Sequence, residues 1–144
     1  MPPHDPDAPH GPLSCKIDLH TLRGLQMCDL QSLRDALHLM ATIGSAIKCQ
    51  PRFWEEGTHN YNNAGEILDD ITEWLFGFEQ AIVNVAKSAT PPNGDEMECR
   101  GHLIVGFEAD LQDSLGNLVV IAAQAAAEEA TARFHDSRQI GGAA

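Results

Sequence analysis

Apolar residues recur every three or four positions along most of this chain, which is the spacing of helices that pack through one face. The cleanest run predicts a helix over residues 63–88, with Asn62 or Asn63 as its N-cap and Pro91-Pro92 beyond its end. The apolar positions of this second predicted helix are Ala64, Leu68, Ile71, Leu75, Phe78, Ile82, Val85 and Ala89.

Two more helices are predicted on either side of it. Asp29 is a suitable N-cap for a first helix over residues 29–49, which Pro51 stops. Its apolar positions are Leu30, Leu33, Leu37, Met40, Gly44 and Ile47. A third helix over residues 95–135 begins with acidic residues, which suit a helix N-terminus, and a break in it would fall near Gly116-Asn117. Its apolar positions are Ile104, Phe107, Leu111, Leu115, Leu118, Ala122 and Ala125.

These helices predict an all-α protein, a three-helix up-down-up bundle with a long third helix. Residues 13–20 alternate like a strand, but no second strand pattern exists to pair with them, so an extended lead-in or a short helical turn is expected. The bundle would occupy residues 13–136. The proline-rich residues 1–12 would form a disordered tail, and residues 137–144 a flexible one.

The stretch from Leu118 to Ala127 is apolar almost all round, which is more than a three-helix monomer can cover. A two-fold homodimer that completes the bundle is therefore expected. The alternative is a third helix that bends back or packs against the N-terminal segment. The candidate dimer residues are Phe76 and Val83, expected to face outward on the second helix, together with Val119, Val120 and Ala123.

The chain is strongly acidic: 21 Asp and Glu against 9 Lys and Arg give a formal charge of −12. This charge repels phosphate backbones and anionic membranes, so direct nucleic-acid or membrane binding is not expected. It favours a protein partner with a basic surface. The chain has no apolar run long enough to span a bilayer and no signal-peptide pattern, so a cytoplasmic location is expected.

The connector between the first two helices is rich in aromatic and acidic residues, which makes it a candidate partner-binding loop. The alternative is that its aromatic residues cap the core. A stripe of acidic residues on the second helix lies opposite the apolar seam, where it would face solvent and meet a basic partner. The candidates are Phe53, Trp54, Glu55, Glu56, His59 and Tyr61 in the connector, with Glu66, Asp70 and Glu73 on the helix.

The four cysteines show no CxxC pair and are interpreted first as free thiols of a reducing compartment. The bundle topology would bring Cys28 near Cys99 and His102, the candidate metal ligands. A single xx-spaced pair is fewer than structural zinc sites usually show, so no metal or other cofactor is expected. Cys49 would lie at the opposite end of the first helix, too far from Cys28 to form a bond.

The favoured hypothesis is a non-enzymatic interaction protein: an adaptor, or an inhibitor that covers a basic surface. No catalytic residues are expected, because the chain lacks GxSxG, GxxxxGK and GxGxxG motifs. One alternative is a small metal-dependent hydrolase that uses carboxylates on the second and third helices. Another is a thiol- or zinc-based sensor. Inward carboxylates would favour the hydrolase, and converging cysteines would favour the sensor.

Overall fold

The computed structural model describes residues 18–111 and 114–141, and the regular structure in these ranges is helical, as predicted. A 3₁₀ turn at Pro51–Phe53 and one isolated β-bridge, between Trp54 and Tyr61, lie in the connector. The helices are α1 (Leu19–Arg23), α2 (Met27–Lys48), α3 (Asn63–Ser88), α4 (Gly94–Asp110) and α5 (Leu115–Gly141).

Side-chain caps begin several of these helices. The Asn62 side chain accepts a hydrogen bond from the Gly65 backbone N–H at 3.0 Å, and α3 has the predicted bounds. Helix α2 starts two residues before the predicted Asp29, at Met27. The Met27 N–H donates to the Glu96 carboxylate of α4 at 2.5 Å, a tertiary cap that no local sequence pattern reveals.

Helices α2 and α3 pack antiparallel, and some of the residues buried between them differ from the predicted apolar positions. Ala41 is fully buried on α2 in place of the predicted Met40, and Thr72 is buried on α3 in place of the predicted Ile71. The reason is a close approach: a Cβ on Gly44 would lie only 2.8 Å from the Thr72 hydroxyl oxygen. The helices therefore meet through these small and polar residues, and their larger apolar neighbours turn outward.

The single third helix predicted over residues 95–135 is wrong, because the chain reverses between α4 and α5. The two helices lie antiparallel, with the Gly94 N–H bonded to Asp136 at 2.8 Å and Arg100 paired with Glu128 at 2.5 Å. The alternative in which the third helix bends back is the one observed. The turn lies close to the break predicted near Gly116-Asn117. The apolar period runs through Leu111 and Leu115 without a gap, yet both side chains are exposed beside the turn.

The ends of the chain differ from the predicted domain limits. Residues 18–23 contain the short helical turn α1, whose Leu22 is buried. Within the tail predicted at residues 137–144, residues 137–141 continue α5. The predicted N-terminal tail at residues 1–12, Cys15 and residues 142–144 lie outside the described residues.

Candidate functional site

The aromatic connector is a closed loop that packs on the ends of α2 and α3. The rings of Trp54 and Tyr61 lie 4.6 Å apart, and the Trp54 indole N–H donates to the Lys48 carbonyl at 3.0 Å. Gly65 lies so close to the loop that an added Cβ would come within 2.3 Å of the Phe53 carbonyl oxygen. Because Phe53, Trp54 and Tyr61 are half-buried, they anchor the loop as well as forming part of its surface.

The tip of the connector projects polar groups into solvent. Glu55, Glu56 and His59 are exposed, and Gly57 takes a positive φ of 76° that lets the chain turn there. An open cleft of about 560 Å³ beside the tip brings together four of the predicted binding residues. It is lined by Cys49, Pro51, Trp54, Glu55, Glu56, Gly57, Thr58 and His59.

The acidic stripe on α3 faces solvent, as expected: Glu66, Asp70 and Glu73 are all exposed. It does not line the connector cleft. Asp69, which is half-buried, pairs instead with Lys48 of α2, and this hydrogen bond raises the pKa of the lysine. The carboxylates of the stripe are exposed and are therefore not the inward carboxylates that the hydrolase alternative required. Within the described residues, no three His, Cys, Asp or Glu side chains are grouped as a metal site would require.

Immediately beside this stripe lies an apolar surface that sequence reasoning missed, which we call the open face. Helix α4 packs on the side of the α2–α3 pair where Arg34 and His38 approach Asp110. By helical spacing, the next positions around each helix point to the other side of the pair. These positions are Met40 and Ile43 on α2 and Ile67 and Ile71 on α3, all 43–56% exposed, with the half-buried Trp74 and Phe78 alongside.

A second apolar surface runs along α5, which packs mainly against α4. The outer stripe consists of Val119, Val120, Ala123, Ala126, Ala127, Ala130 and Phe134, all exposed. The charged side chains of this part of α5 turn toward α4 instead: Glu128 pairs with Arg100, and Arg133 pairs with Glu98 at 2.6 Å.

The predicted dimer residues divide accordingly. Val119, Val120 and Ala123 lie on the outer stripe, and Phe76 is 44% exposed on α3. The outward position predicted for Val83 is wrong: it is fully buried in the core. Helix α4 covers this side of α3, so Val83 has no free surface.

Charged residues meet in the interior where α2, α3 and α4 come together, a cluster that the apolar pattern did not predict. The buried Arg34 places Nε 3.3 Å from Oε2 of the buried Glu79, and its guanidinium also bonds to Asp110. His38 of α2 is half-buried, with Nδ1 3.2 Å from Glu79 Oε2. A signal was present: Arg34 and Glu79 each lie four residues after a core leucine, on the buried side of their helices.

Burial raises the pKa of Glu79, and the charges of His38 and Arg34 oppose this rise. Arg34 Nε and Glu79 Oε1 are buried without a hydrogen-bond partner. The cluster joins three helices through charge, with a guanidinium at the centre of two carboxylates and an imidazole. Because a cation already occupies this centre, the cluster is better suited to holding the helices in register than to binding a metal.

The cysteines correct another expectation. Cys28 and Cys99 form a disulfide that ties the start of α2 to α4, so they are not free thiols or available metal ligands. The predicted neighbour His102 is exposed one turn further along α4. Cys49 is free and exposed, and the described residues place no partner for it. The predicted convergence of Cys28 and Cys99 is therefore observed, but as a covalent link.

Among residues 18–111 and 114–141, no helix combines the length and apolar character needed to cross a bilayer. The chain matches no protein-family model, no curated protein and no solved structure.

Proposed function

We propose that this protein is a non-enzymatic, acidic helical protein that acts by binding other proteins, and that it does so as a homodimer. The observation that carries the proposal is the outer stripe of α5. Seven stripe positions between residues 119 and 134 are apolar and exposed, and within the described residues their helix packs mainly against α4. Contiguous apolar surface of this kind is typical of protein–protein interfaces.

The stripe suits a second copy of the same chain. If two α5 helices cross antiparallel about a point between Ala126 and Ala127, Ala123 meets Ala130 and Val119 meets Phe134. The small residues at the centre allow the two backbones to approach closely, and the larger residues fill the ends. Such a contact is self-complementary, as a two-fold interface must be.

Charge supports the same pairing. Each chain carries a formal charge of −12, so two copies repel each other over most of their surfaces. Between residues 119 and 134 the outer stripe carries no ionisable side chain. The Arg138 guanidinium lies over the Phe134 ring, 4.7 Å from its centroid, so a contact centred on Ala126 and Ala127 brings the two chains together with this cation at its rim.

The dimer is tested by sedimentation velocity of the parent protein and of Val120→Asp. Val120 is 66% exposed, so the variant should fold as the parent does but sediment as a monomer. Leu39→Asp is the matched control, because Leu39 is 60% exposed on α2 and lies outside the stripe. A Val120→Asp protein that remains dimeric, or a Leu39→Asp protein that becomes monomeric, would place the interface elsewhere.

Binding of another protein is the second half of the proposal, and the connector tip is the surface proposed for it. Glu55, Glu56 and His59 are exposed and can be changed without disturbing the Trp54–Tyr61 contact that holds the loop. The triple variant Glu55→Gln, Glu56→Gln, His59→Ala should lose partners that the parent retains from a cell extract. Retention of the same partners by both proteins would remove the connector from the proposal.

A further inference from the structure

We propose that the open face binds a basic amphipathic helix of a partner protein, an inference that rests on the proposed interaction function and adds a site and a partner chemistry to it. The open face consists of Met40, Ile43, Ile67 and Ile71, with Trp74 and Phe78 alongside. It is separate from the outer stripe of α5 and from the connector cleft.

The open face has a length that a helix can occupy. Exposed apolar side chains of two antiparallel helices flank the line where α2 and α3 meet, which we call the groove, and the half-buried rings of Trp74 and Phe78 lie 5.4 Å apart at one end. From Ile67 to Phe78 the groove runs for about 16 Å at 1.5 Å per residue, or roughly three helical turns. A partner helix with apolar side chains at positions i, i+3, i+4 and i+7 fills a groove of this kind.

The negative charge along one edge of the open face favours a partner with positive charge. Each residue of the acidic stripe directly precedes a residue of the open face in the sequence. The three pairs are Glu66 with Ile67, Asp70 with Ile71, and Glu73 with Trp74. Successive residues of a helix point about 100° apart, so this row of exposed carboxylates runs beside the open face for two helical turns, and Asp70 also lies one turn from Ile67 and from Trp74. Lys48 of α2 pairs with Asp69 and also interacts electrostatically with Glu73, so it offsets only part of the negative charge of the row.

The α2 edge of the groove is different, because its exposed residues Leu39, Thr42 and Ala46 are uncharged. The matching helix therefore has apolar residues on one face and Lys or Arg along one flank. A second copy of this chain does not meet that requirement: its own face offers carboxylates on one edge and uncharged residues on the other. The charges thus assign the open face to a basic partner, while the uncharged outer stripe suits a second copy.

The test uses a labelled peptide of about 18 residues, built from Leu and Lys so that the lysines lie along one flank of a helix. Fluorescence anisotropy with the full-length protein measures its binding. Ile71→Asp and Met40→Asp, one on each helix, should each weaken binding at least about tenfold. Leu111→Asp is the matched control, since Leu111 is exposed at the far end of α4, and it should bind as the parent does. Circular dichroism verifies that each variant is folded.

The charge requirement is tested separately. Neutralising the row with Glu66→Gln, Asp70→Asn and Glu73→Gln should weaken binding about tenfold at low salt and flatten its dependence on salt concentration. Asp29→Asn with Asp95→Asn removes two exposed carboxylates that lie outside both the open face and the connector, and it should leave binding unchanged. A peptide with Glu in place of Lys should not bind the parent protein.

Each contrary result overturns the inference. Equal binding by the parent, Ile71→Asp and the neutralised row would show that the peptide binds outside the open face. Conversion to monomers by Ile71→Asp but not by Val120→Asp would show that a second copy occupies the face. If the connector variant loses partners from cell extract and the open-face variants do not, the proposed function holds and the open-face inference is wrong.

Discussion

Arg34 and Glu79 are charged side chains buried among the described residues, and the environment of Glu79 makes stability depend on pH. Glu79 faces Arg34 and His38 of α2 and Asp110 of α4. Burial raises its pKa above the ordinary value of 4.5, against the opposing effect of the two basic groups. A carboxyl group with a higher pKa in the folded state binds its proton more tightly when the protein is folded. Its contribution to stability is complete below pH 4.5 and is lost as the pH rises through the folded pKa.

We therefore predict that Glu79→Gln changes the pH dependence of folding. The free energy of unfolding of the parent, relative to that of the variant, should fall as the pH rises from 4 through the raised pKa. The fall should be about 1.4 kcal/mol for each unit by which the pKa is raised. Urea unfolding followed by circular dichroism at a series of pH values measures this difference. A difference that stays constant, or that grows in favour of the parent, contradicts the assignment.

Two glycines on α3 should respond in opposite ways to alanine. An added Cβ at Gly65 would lie 2.3 Å from the Phe53 carbonyl oxygen, so the connector would have to move, at a cost of about 1–3 kcal/mol. At Gly77 an added Cβ meets no atom within 4 Å, and the higher helix propensity of alanine should stabilise the protein by up to about 1 kcal/mol. Thermal unfolding of Gly65→Ala and Gly77→Ala gives the two shifts. Shifts of the same sign would mean that the connector does not pack on α3 in this way.

At the scale of the elements, the link between α2 and α4 is both covalent and hydrogen-bonded. The Cys28–Cys99 disulfide closes a sequence separation of 71 residues, and the adjacent Met27 N–H is bonded to Glu96. Closing so long a loop restricts the unfolded chain, and removing such a bond typically costs about 2–4 kcal/mol. Disulfides are typical of oxidising compartments, so this bond is evidence against the reducing compartment that was predicted from the cysteine spacing.

Cys28→Ser with Cys99→Ser should therefore lower the free energy of unfolding by about that amount under non-reducing conditions. Cys49→Ser should have little effect, because Cys49 is free and exposed. Urea unfolding of both variants tests the difference, and alkylation of the denatured parent followed by mass spectrometry counts its thiols. Equal stability of the double variant and the parent would show that the bond does not hold α2 and α4 together.

The helices also show which features of the fold the apolar pattern can predict. Helix α3 has the predicted bounds because an Asn cap and a proline pair mark its ends. The sequence left a break near Gly116-Asn117 and a third helix that bends back as alternatives. It did not decide for the turn between α4 and α5, because the apolar period continues through it at Leu111 and Leu115, and period alone does not separate one long helix from two antiparallel ones. Ile71 was placed in the core because its spacing fits the seam. The approach of Gly44 to Thr72, which rotates Ile71 outward, depends on two helices and cannot be seen in either alone.

For the whole molecule, the same limit explains which parts of the candidate site were predicted. The connector cleft and the acidic stripe follow from residues close together in the sequence. The open face and the Arg34–Glu79 cluster depend on which side of the α2–α3 pair α4 covers, and that is a property of the tertiary arrangement. A search for apolar periodicity does not count charged residues at core positions. Arg34 and Glu79 were therefore overlooked, although their spacing from Leu30 and Leu75 places them on the buried side of their helices.

The distribution of charge over the molecule yields a last prediction, which separates its two proposed interactions. Association of two chains that each carry −12 is opposed by long-range repulsion, and salt screens that repulsion. Dimerisation through the uncharged outer stripe should therefore strengthen as ionic strength rises from about 0.01 to 0.15 M, as the Debye length shortens from about 30 to 8 Å. Binding of the basic helix to the acidic edge of the open face should weaken over the same range.

Sedimentation equilibrium measures the first dependence, and peptide anisotropy with the Val120→Asp protein measures the second without interference from the dimer. Opposite signs are expected because the first contact joins like-charged bodies through a neutral patch, whereas the second neutralises carboxylates directly. A dimer that weakens with salt would require ionic contacts between the copies and would move the interface away from the outer stripe. Peptide binding that is indifferent to salt would remove Glu66, Asp70 and Glu73 from the recognition surface and leave an apolar groove that does not select the charge of its partner.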